Sequence, residues 1–254
     1  MKALLLENIH PDAAARLAKA GFQVEQVSRA LTEGELIKAV DGVHILGVRS
    51  GTNVTETVLG NAAELVAVGA FCIGTNQIDL TAAARRGVAV FNAPFSNTRS
   101  VVELALAEII SLARRLPEKN AQMHDGVWDK SAKGAHEVRG RRLGIVGYGN
   151  IGTQLSVLAE NLGMSVYFYD VADKLALGNA RRCSTLEDLL GAVETVTLHV
   201  DGRAGNRGFF GEAEFAAMRP RSLFLNLSRG FVVDHAALRR AIESGHLAGA
   251  AVDV

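Results

Sequence analysis

The 254-residue sequence predicts an α/β protein folded as two lobes, each built on a parallel sheet. Three observations carry this reading. Apolar runs of strand length alternate with segments of helical periodicity along the chain. Residues 142–170 read strand, glycine-rich turn, helix, strand, acid. Asn92-Ala93-Pro94 marks a turn or linker ahead of a long apolar helix, and the chain is expected to divide near residue 97.

Composition narrows the class of partner. Hydrophobic residues make up 48% of the chain, enough for a substantial core, and 27 basic side chains balance 27 acidic ones. That balance argues against nucleic acid or another polyanion as the main partner. No apolar run is long enough to span a bilayer. Cys72 and Cys183 form no cysteine-rich framework, and with no signal-peptide pattern the expected setting is a reducing cytoplasm.

In the first lobe, strands are expected at Ala3 to Leu6, Gln23 to Val27, Val43 to Val48, Leu65 to Val68 and Val88 to Phe91. A helix is expected over residues 11–20, stopped by Gly21. Another starts at Thr32, where Glu35 three residues on completes a capping box. Ligands of such sheets bind beyond the carboxyl ends of the strands. Two strand-end loops are therefore candidates, Arg49-Ser50-Gly51-Thr52 and Phe71-Cys72-Ile73-Gly74-Thr75-Asn76. The Arg49 guanidinium suits a carboxylate or a phosphate, although a surface arginine is the plain alternative. Turn chemistry alone accounts equally well for Gly74-Thr75-Asn76.

Asn97-Thr98-Arg99-Ser100 leads into a helix expected to run to about Leu116 and to stop at Pro117. Val102, Leu106, Ile109 and Ala113 share one face, and Val101, Ala105 and Leu112 another. A helix apolar on so many sides is expected to be buried between lobes or between subunits. Trp128 follows in a polar stretch, either as a subunit anchor or in local packing.

The motif at 142–170 has a physical rationale at each position. Gly147 permits a tight turn, Gly149 lets backbone approach a pyrophosphate, and Gly152 lets the helix pack close on its strand. The helix N-terminus offers free N–H groups and partial positive charge. Asp170, at the tip of the next strand, can accept hydrogen bonds from an adenosine ribose and would repel a 2′-phosphate, which favours NAD over NADP. Further strands are expected at Val196 to Val200, Leu223 to Leu227 and Ala248 to Val254, with helices at Leu186 to Leu190, 212–218 and Ala236 to Ile242. Arg229 then falls at a strand end, where it can hold a carboxylate and polarise a carbonyl oxygen, and Asp253 falls at another.

Several stretches together resemble the D-isomer-specific 2-hydroxyacid dehydrogenases, most closely their phosphoglycerate branch. They are Ala70-Phe-Cys-Ile-Gly-Thr-Asn-Gln-Ile-Asp79, Val90-Phe-Asn-Ala-Pro-Phe-Ser-Asn-Thr-Arg-Ser100, the glycine motif continuing through Thr153-Gln154, Val166-Tyr-Phe-Tyr-Asp170 and Asn226-Leu-Ser-Arg229-Gly230. The resemblance implies a flavodoxin-like substrate lobe over residues 1–97 and a Rossmann doubly wound NAD-binding lobe over 98–254, with a cleft that closes over substrate. It implies NAD-dependent oxidation of D-3-phosphoglycerate to 3-phosphohydroxypyruvate, the first step of phosphorylated serine biosynthesis, in a homodimer or higher homo-oligomer.

The resemblance also implies roles for individual residues. Asn150 and Ile151, with Gly147, Gly149 and Gly152, would line the pyrophosphate, and Asp170 the ribose. His199 and Val200 would lie at the cofactor's edge. Leu227, Ser228 and Arg229 would border the nicotinamide, and Asp253 its carboxamide. Arg229 would be the catalytic arginine. Arg49, Ser50, Ile73, Gly74 and Asn97 would face the substrate.

Departures from the family pattern keep alternatives open. The family's catalytic glutamate and histidine are expected beyond Val254, and loss of such a general base slows hydride transfer by roughly 10²–10⁴. Relatives often carry a second arginine where Gly51 stands, and proline where Asp201 stands. A carboxylate at 201 near a pyrophosphate is electrostatically unhelpful, so that loop is expected to be rearranged. The alternatives are a catalytically inactive NAD-binding dimerisation module, as in the family's corepressor branch, and a dehydrogenase for another 2-hydroxy acid such as glycerate.

Overall fold

The computed structural model describes all 254 residues, which form two compact units, Met1–Ser96 and Asn97–Val254. In the first, strands and helices alternate: β1 (Lys2–Leu6), α1 (Pro11–Lys19), β2 (Gln23–Val27), α2 (Glu33–Ala39), β3 (Ile45–Val48), α3 (Glu56–Asn61), β4 (Ala67–Ala70), α4 (Leu80–Arg85) and β5 (Ala89–Asn92). Helical crossovers force the strands parallel, in the flavodoxin-like order β2-β1-β3-β4-β5. The order reverses between β1 and β3, which puts a topological switch point at the loops that follow them. Leu4, Leu6, Leu46, Val48 and Val68 fill the core from the sheet side. The Thr32–Glu35 capping box forms, with the Thr32 N–H donating to Glu35 Oε2 at 2.9 Å.

The second unit opens with α5 (Thr98–Arg114) and α6 (Leu116–His124). Then come β6 (Arg142–Val146), α7 (Asn150–Asn161), β7 (Ser165–Tyr169), β8 (Arg181–Arg182), α8 (Leu186–Ala192), β9 (Thr195–Leu198), α9 (Glu212–Ala217), β10 (Ser222–Asn226), α10 (His235–Glu243) and β11 (Leu247–Val252). All six strands are parallel in the order β11-β10-β9-β6-β7-β8, the doubly wound Rossmann arrangement, and its switch point lies between β6 and β9. No helix is long and apolar enough to cross a membrane.

Two expectations about the long helix are corrected. Pro117 does not simply end it. The helix stops at Arg114, Arg115 turns left-handed (φ 57°), and Leu116-Pro117 begins α6. Proline has no N–H to donate, and the first turn of a helix does not need one there. Nor is the apolar face of α5 reserved for another lobe or subunit. Val102, Ala105 and Ile109 are buried against Leu143, Ile145, Leu155 and Leu225, so α5 covers the sheet of its own unit.

One buried polar pair anchors the turn after β6. The Tyr148 ring stacks on Phe168 with centroids 3.7 Å apart, and its hydroxyl meets Ser156 Oγ at 2.7 Å. Both residues are essentially inaccessible to water. Tyr148→Phe strands the Ser156 hydroxyl and is expected to lower stability by about 1–3 kcal/mol. Urea unfolding of the variant checks this, and a midpoint equal to that of the parent would show that the pair contributes nothing.

Candidate active site

In a parallel sheet the carboxyl ends of all strands reach one edge, and the candidate residues of the second unit collect there. The loop after β6 turns sharply at Gly147 (φ 93°) and runs straight into α7. A methyl on Gly147 would lie 2.7 Å from the His199 backbone carbonyl, and one on Gly152 would overlap the Gly147 carbonyl oxygen. These two glycines therefore permit β6, α7 and the end of β9 to approach one another. Gly149 differs, because nothing lies within 4 Å of a methyl built on it. The open space faces the start of α7, whose first N–H groups have no side-chain cap. A pyrophosphate fits such a cradle, since backbone can approach it and uncapped N–H groups can bind it. Asn150 is exposed and Ile151 half-buried on the first turn of the helix.

Asp170 follows β7 and is held in place by backbone. Its Oδ2 accepts from the Tyr148 N–H at 2.7 Å and its Oδ1 from the Ala172 N–H at 2.8 Å. Each carboxylate oxygen keeps a lone pair for a ribose hydroxyl. Asp201, the residue expected to disturb this edge, is neutralised. Arg203 donates Nε–H to its Oδ1 at 2.7 Å, and Asn206 Nδ2 donates to the same oxygen at 3.0 Å. The hydrogen bond from Arg203 is the main reason its carboxyl lies below the usual range.

His199 and Val200 lie in the loop just after β9, a strand two residues shorter at this end than expected. The His199 ring is enclosed even though the residue is partly exposed. Its Nε2 meets Thr197 Oγ1 at 3.0 Å, and Nδ1 is shielded with no partner. Burial pushes its pKa down to about 4.

After β10, the buried Asn226 organises the arginine loop. Its Oδ1 accepts from the N–H of Ser228 at 3.0 Å and from Ser228 Oγ at 2.7 Å, while its Nδ2 donates to the Arg229 carbonyl at 3.0 Å. Arg229 is half-buried, with Nη1 on the Ser228 carbonyl at 2.8 Å, and Leu227 is buried beneath. Asp253 follows β11 and is tied to the same place, its N–H donating to the Asn226 carbonyl at 3.2 Å. Asn226 opens the stretch that ends in Arg229-Gly230, but nothing in its sequence position announced this role.

In the first unit, Arg49 and Ser50 are exposed in the loop after β3. Ile73 and Gly74 lie in the loop after β4, where the Ile73 carbonyl accepts from Asn92 Nδ2 at 2.7 Å. Asn97 opens the second unit as the N-cap of α5, with no capping bond from its side chain. Two further residues shape these loops, one outside every motif and one inside the Ala70–Asp79 stretch without a role assigned to it there. They are Glu7 at the end of β1, and Gln77, which is 6% exposed.

Residues 106–254 match the family model described as D-isomer specific 2-hydroxyacid dehydrogenase, NAD binding domain. The chain belongs to this family. It is 51% identical over 254 residues to the D-3-phosphoglycerate dehydrogenase of Dictyostelium discoideum, and 52% identical over 255 residues to that of Escherichia coli K12. Each match takes in the whole of this chain and 62% of the relative, so the chain spans about three fifths of the length of the curated relatives it matches. Among solved structures, the TT0316 protein of Thermus thermophilus superposes with a TM-score of 0.91 at 30% identity, over all of this chain and 82% of that one. The D-lactate dehydrogenase of Aquifex aeolicus, complexed with NAD and lactic acid, shares the fold with a TM-score of 0.87 at 24% identity, over 99% of this chain and 76% of that one.

The enclosed histidine has a pH signature. An ordinary imidazole titrates near 6.5, and folded His199 holds its proton less tightly, near 4. Between these values the unfolded chain binds the extra proton. The contribution is therefore complete above pH 6.5 and is lost as pH falls toward 4. Thermal unfolding between about pH 6.5 and 4.5 should show a shallower decline in Tm for His199→Gln than for the parent chain. Equal slopes would contradict the burial argument.

Proposed function

We propose that this chain binds NAD in its second unit and serves the oxidation of D-3-phosphoglycerate to 3-phosphohydroxypyruvate, the first step of phosphorylated serine biosynthesis. Roughly half identity to D-3-phosphoglycerate dehydrogenases along the entire chain carries this reading. The geometry supports it through the open cradle at Gly149 and the oriented carboxylate of Asp170. A bound nicotinamide supplies the acceptor for the hydride on C2 of the substrate.

The chain's own residues bind and orient. The N–H groups at the start of α7 take the pyrophosphate, and Asn150 and Ile151 border it. Asp170 accepts from the ribose hydroxyls. Leu227 and Ser228 border the nicotinamide, with Asp253 at its carboxamide and His199 and Val200 at its edge. Arg229 holds the substrate carboxylate and draws electron density from the C2 oxygen as it becomes a carbonyl. Arg49, Ser50, Ile73, Gly74 and Asn97 contact the substrate, Arg49 at its anionic end. The C2 hydroxyl proton leaves to a base other than His199, whose ring is enclosed and weakly basic.

A homodimer formed through the second unit completes the proposal, in a reducing cytoplasm that suits two free cysteines. Leu116, Met123 and Val127 are exposed on and after α6, and Trp128 is 70% exposed with Lys130 Nζ 4.2 Å from the centre of its ring. Exposed apolar side chains of this kind, with a tryptophan among them, suit an interface core. One observation favours a second substrate reading. Beside Arg49, position 51 is a glycine, so the loop lacks a second cation for a phosphate, and an unphosphorylated 2-hydroxy acid such as glycerate fits that lack.

Competition between 3-phosphoglycerate and glycerate for the chain decides between these substrates, and tighter binding of glycerate would overturn the first reading. Asp170→Ala is expected to narrow the preference for NADH over NADPH by about tenfold, read by fluorescence titration. An unchanged ratio would remove Asp170 as the ribose reader. Trp128→Ala should sediment as monomer at micromolar concentrations at which the parent chain is dimeric, and identical sedimentation would exclude this patch.

A further inference from the structure

The loops after β1 and β3 flank the switch point of the first sheet, the place where open α/β sheets bind ligands. Glu7 reaches across it. Its Oε1 accepts from the N–H of Arg49 and of Thr52, each at 3.0 Å, and its Oε2 from the N–H of Gly51 at 2.8 Å. From the other side, Gln77 Nε2 donates to the Arg49 carbonyl at 2.9 Å and to the Gly74 carbonyl at 3.1 Å. Both backbone groups of Arg49 are thus held, each by a side chain from a different loop.

The Arg49 guanidinium is left available. Its one polar contact is a long one, Nη1 to the Glu7 carbonyl at 3.5 Å, and no carboxylate pairs with it. The nest of N–H groups in the Arg49 loop is filled by Glu7, so an incoming anion meets the guanidinium and not the nest. The backbone is bent to allow this. Glu7 and Asn8 are both left-handed, with φ of 62° and 53°, a conformation that side chains other than glycine and asparagine seldom adopt. Burial alone would raise the Glu7 carboxyl, but bonds from Thr52, Gly51 and Arg49 outweigh it and hold the group below the usual carboxylate range. The same carboxylate crowds position 51, where a methyl would lie 3.0 Å from Oε2.

The geometry points to Glu7 and Gln77 as positioning residues that grip the Arg49 backbone from two sides and aim its guanidinium at the substrate's anionic end. This rests on the substrate reading above. Calorimetric titration with 3-phosphoglycerate, in the presence of NADH so that no reaction can proceed, tests it. Glu7→Gln keeps the shape and removes the charge, and is expected to weaken 3-phosphoglycerate binding about tenfold while NADH affinity stays within about twofold. In an Arg49→Gln background the same change should cause no further loss, because Glu7 acts through Arg49.

Other outcomes separate the two ideas. If Arg49→Gln weakens binding and Glu7→Gln does not, the positioning role is overturned and the substrate reading stands. Equal losses from Glu7→Gln with and without Arg49 overturn it as well. Absence of 3-phosphoglycerate binding by the parent chain, or no loss in Arg49→Gln, overturns the substrate reading and this proposal with it. Should Glu7→Gln unfold, Gln77→Met carries the same cycle from the opposite side of Arg49.

Discussion

A strand that passes its chain through a helix to a parallel neighbour must deliver its carboxyl end to the same edge as every other strand, and both units are organised by that constraint. In the second unit the edge gathers Gly147, Asp170, His199, Arg229 and Asp253 from five strands that are far apart in sequence. In the first it gathers Glu7, Arg49 and Gly74. The candidate residues need no long-range device to meet. They meet because each stands just past the end of its strand.

Close backbone approach then sharpens the edge. The second unit has no side chain at Gly147 or Gly152, and a methyl at either would push the β6 turn away from β9 or α7. Elsewhere, side-chain amides and carboxylates do comparable work. The Asn226 side chain ties the Arg229 loop to the end of β10, and Asp170 ties the turn after β6 to that after β7. A buried or half-buried polar group that satisfies two or three backbone partners fixes a loop far more firmly than turn propensity does.

Charge placement follows the same economy. Asp201 would be a liability next to a phosphate site, yet Arg203 and Asn206 occupy its carboxylate. Glu7 would weaken the anion affinity of Arg49 if it faced the guanidinium, yet its oxygens are turned to three N–H groups. In both cases the sign of a residue is a poor guide to its effect, because a neighbouring donor has already compensated it.

The sequence alone determined the alternation of elements and the glycine loop with its acid. Those signals are local, written in periodicity and in residues with special backbone freedom. Helix ends were less legible. Pro117 reads as a stop, but a first helical turn accepts proline equally well, so the start of α6 was hidden. The partner of the apolar face of α5 was hidden too, because periodicity shows that a face is buried but not against what. Only the tertiary structure decided that His199 is enclosed, that Asp201 is neutralised and that Glu7 and Gln77 hold Arg49. Each depends on a contact between segments well separated in the chain or on the direction in which a side chain turns, and neither is encoded in the spacing of residues along it.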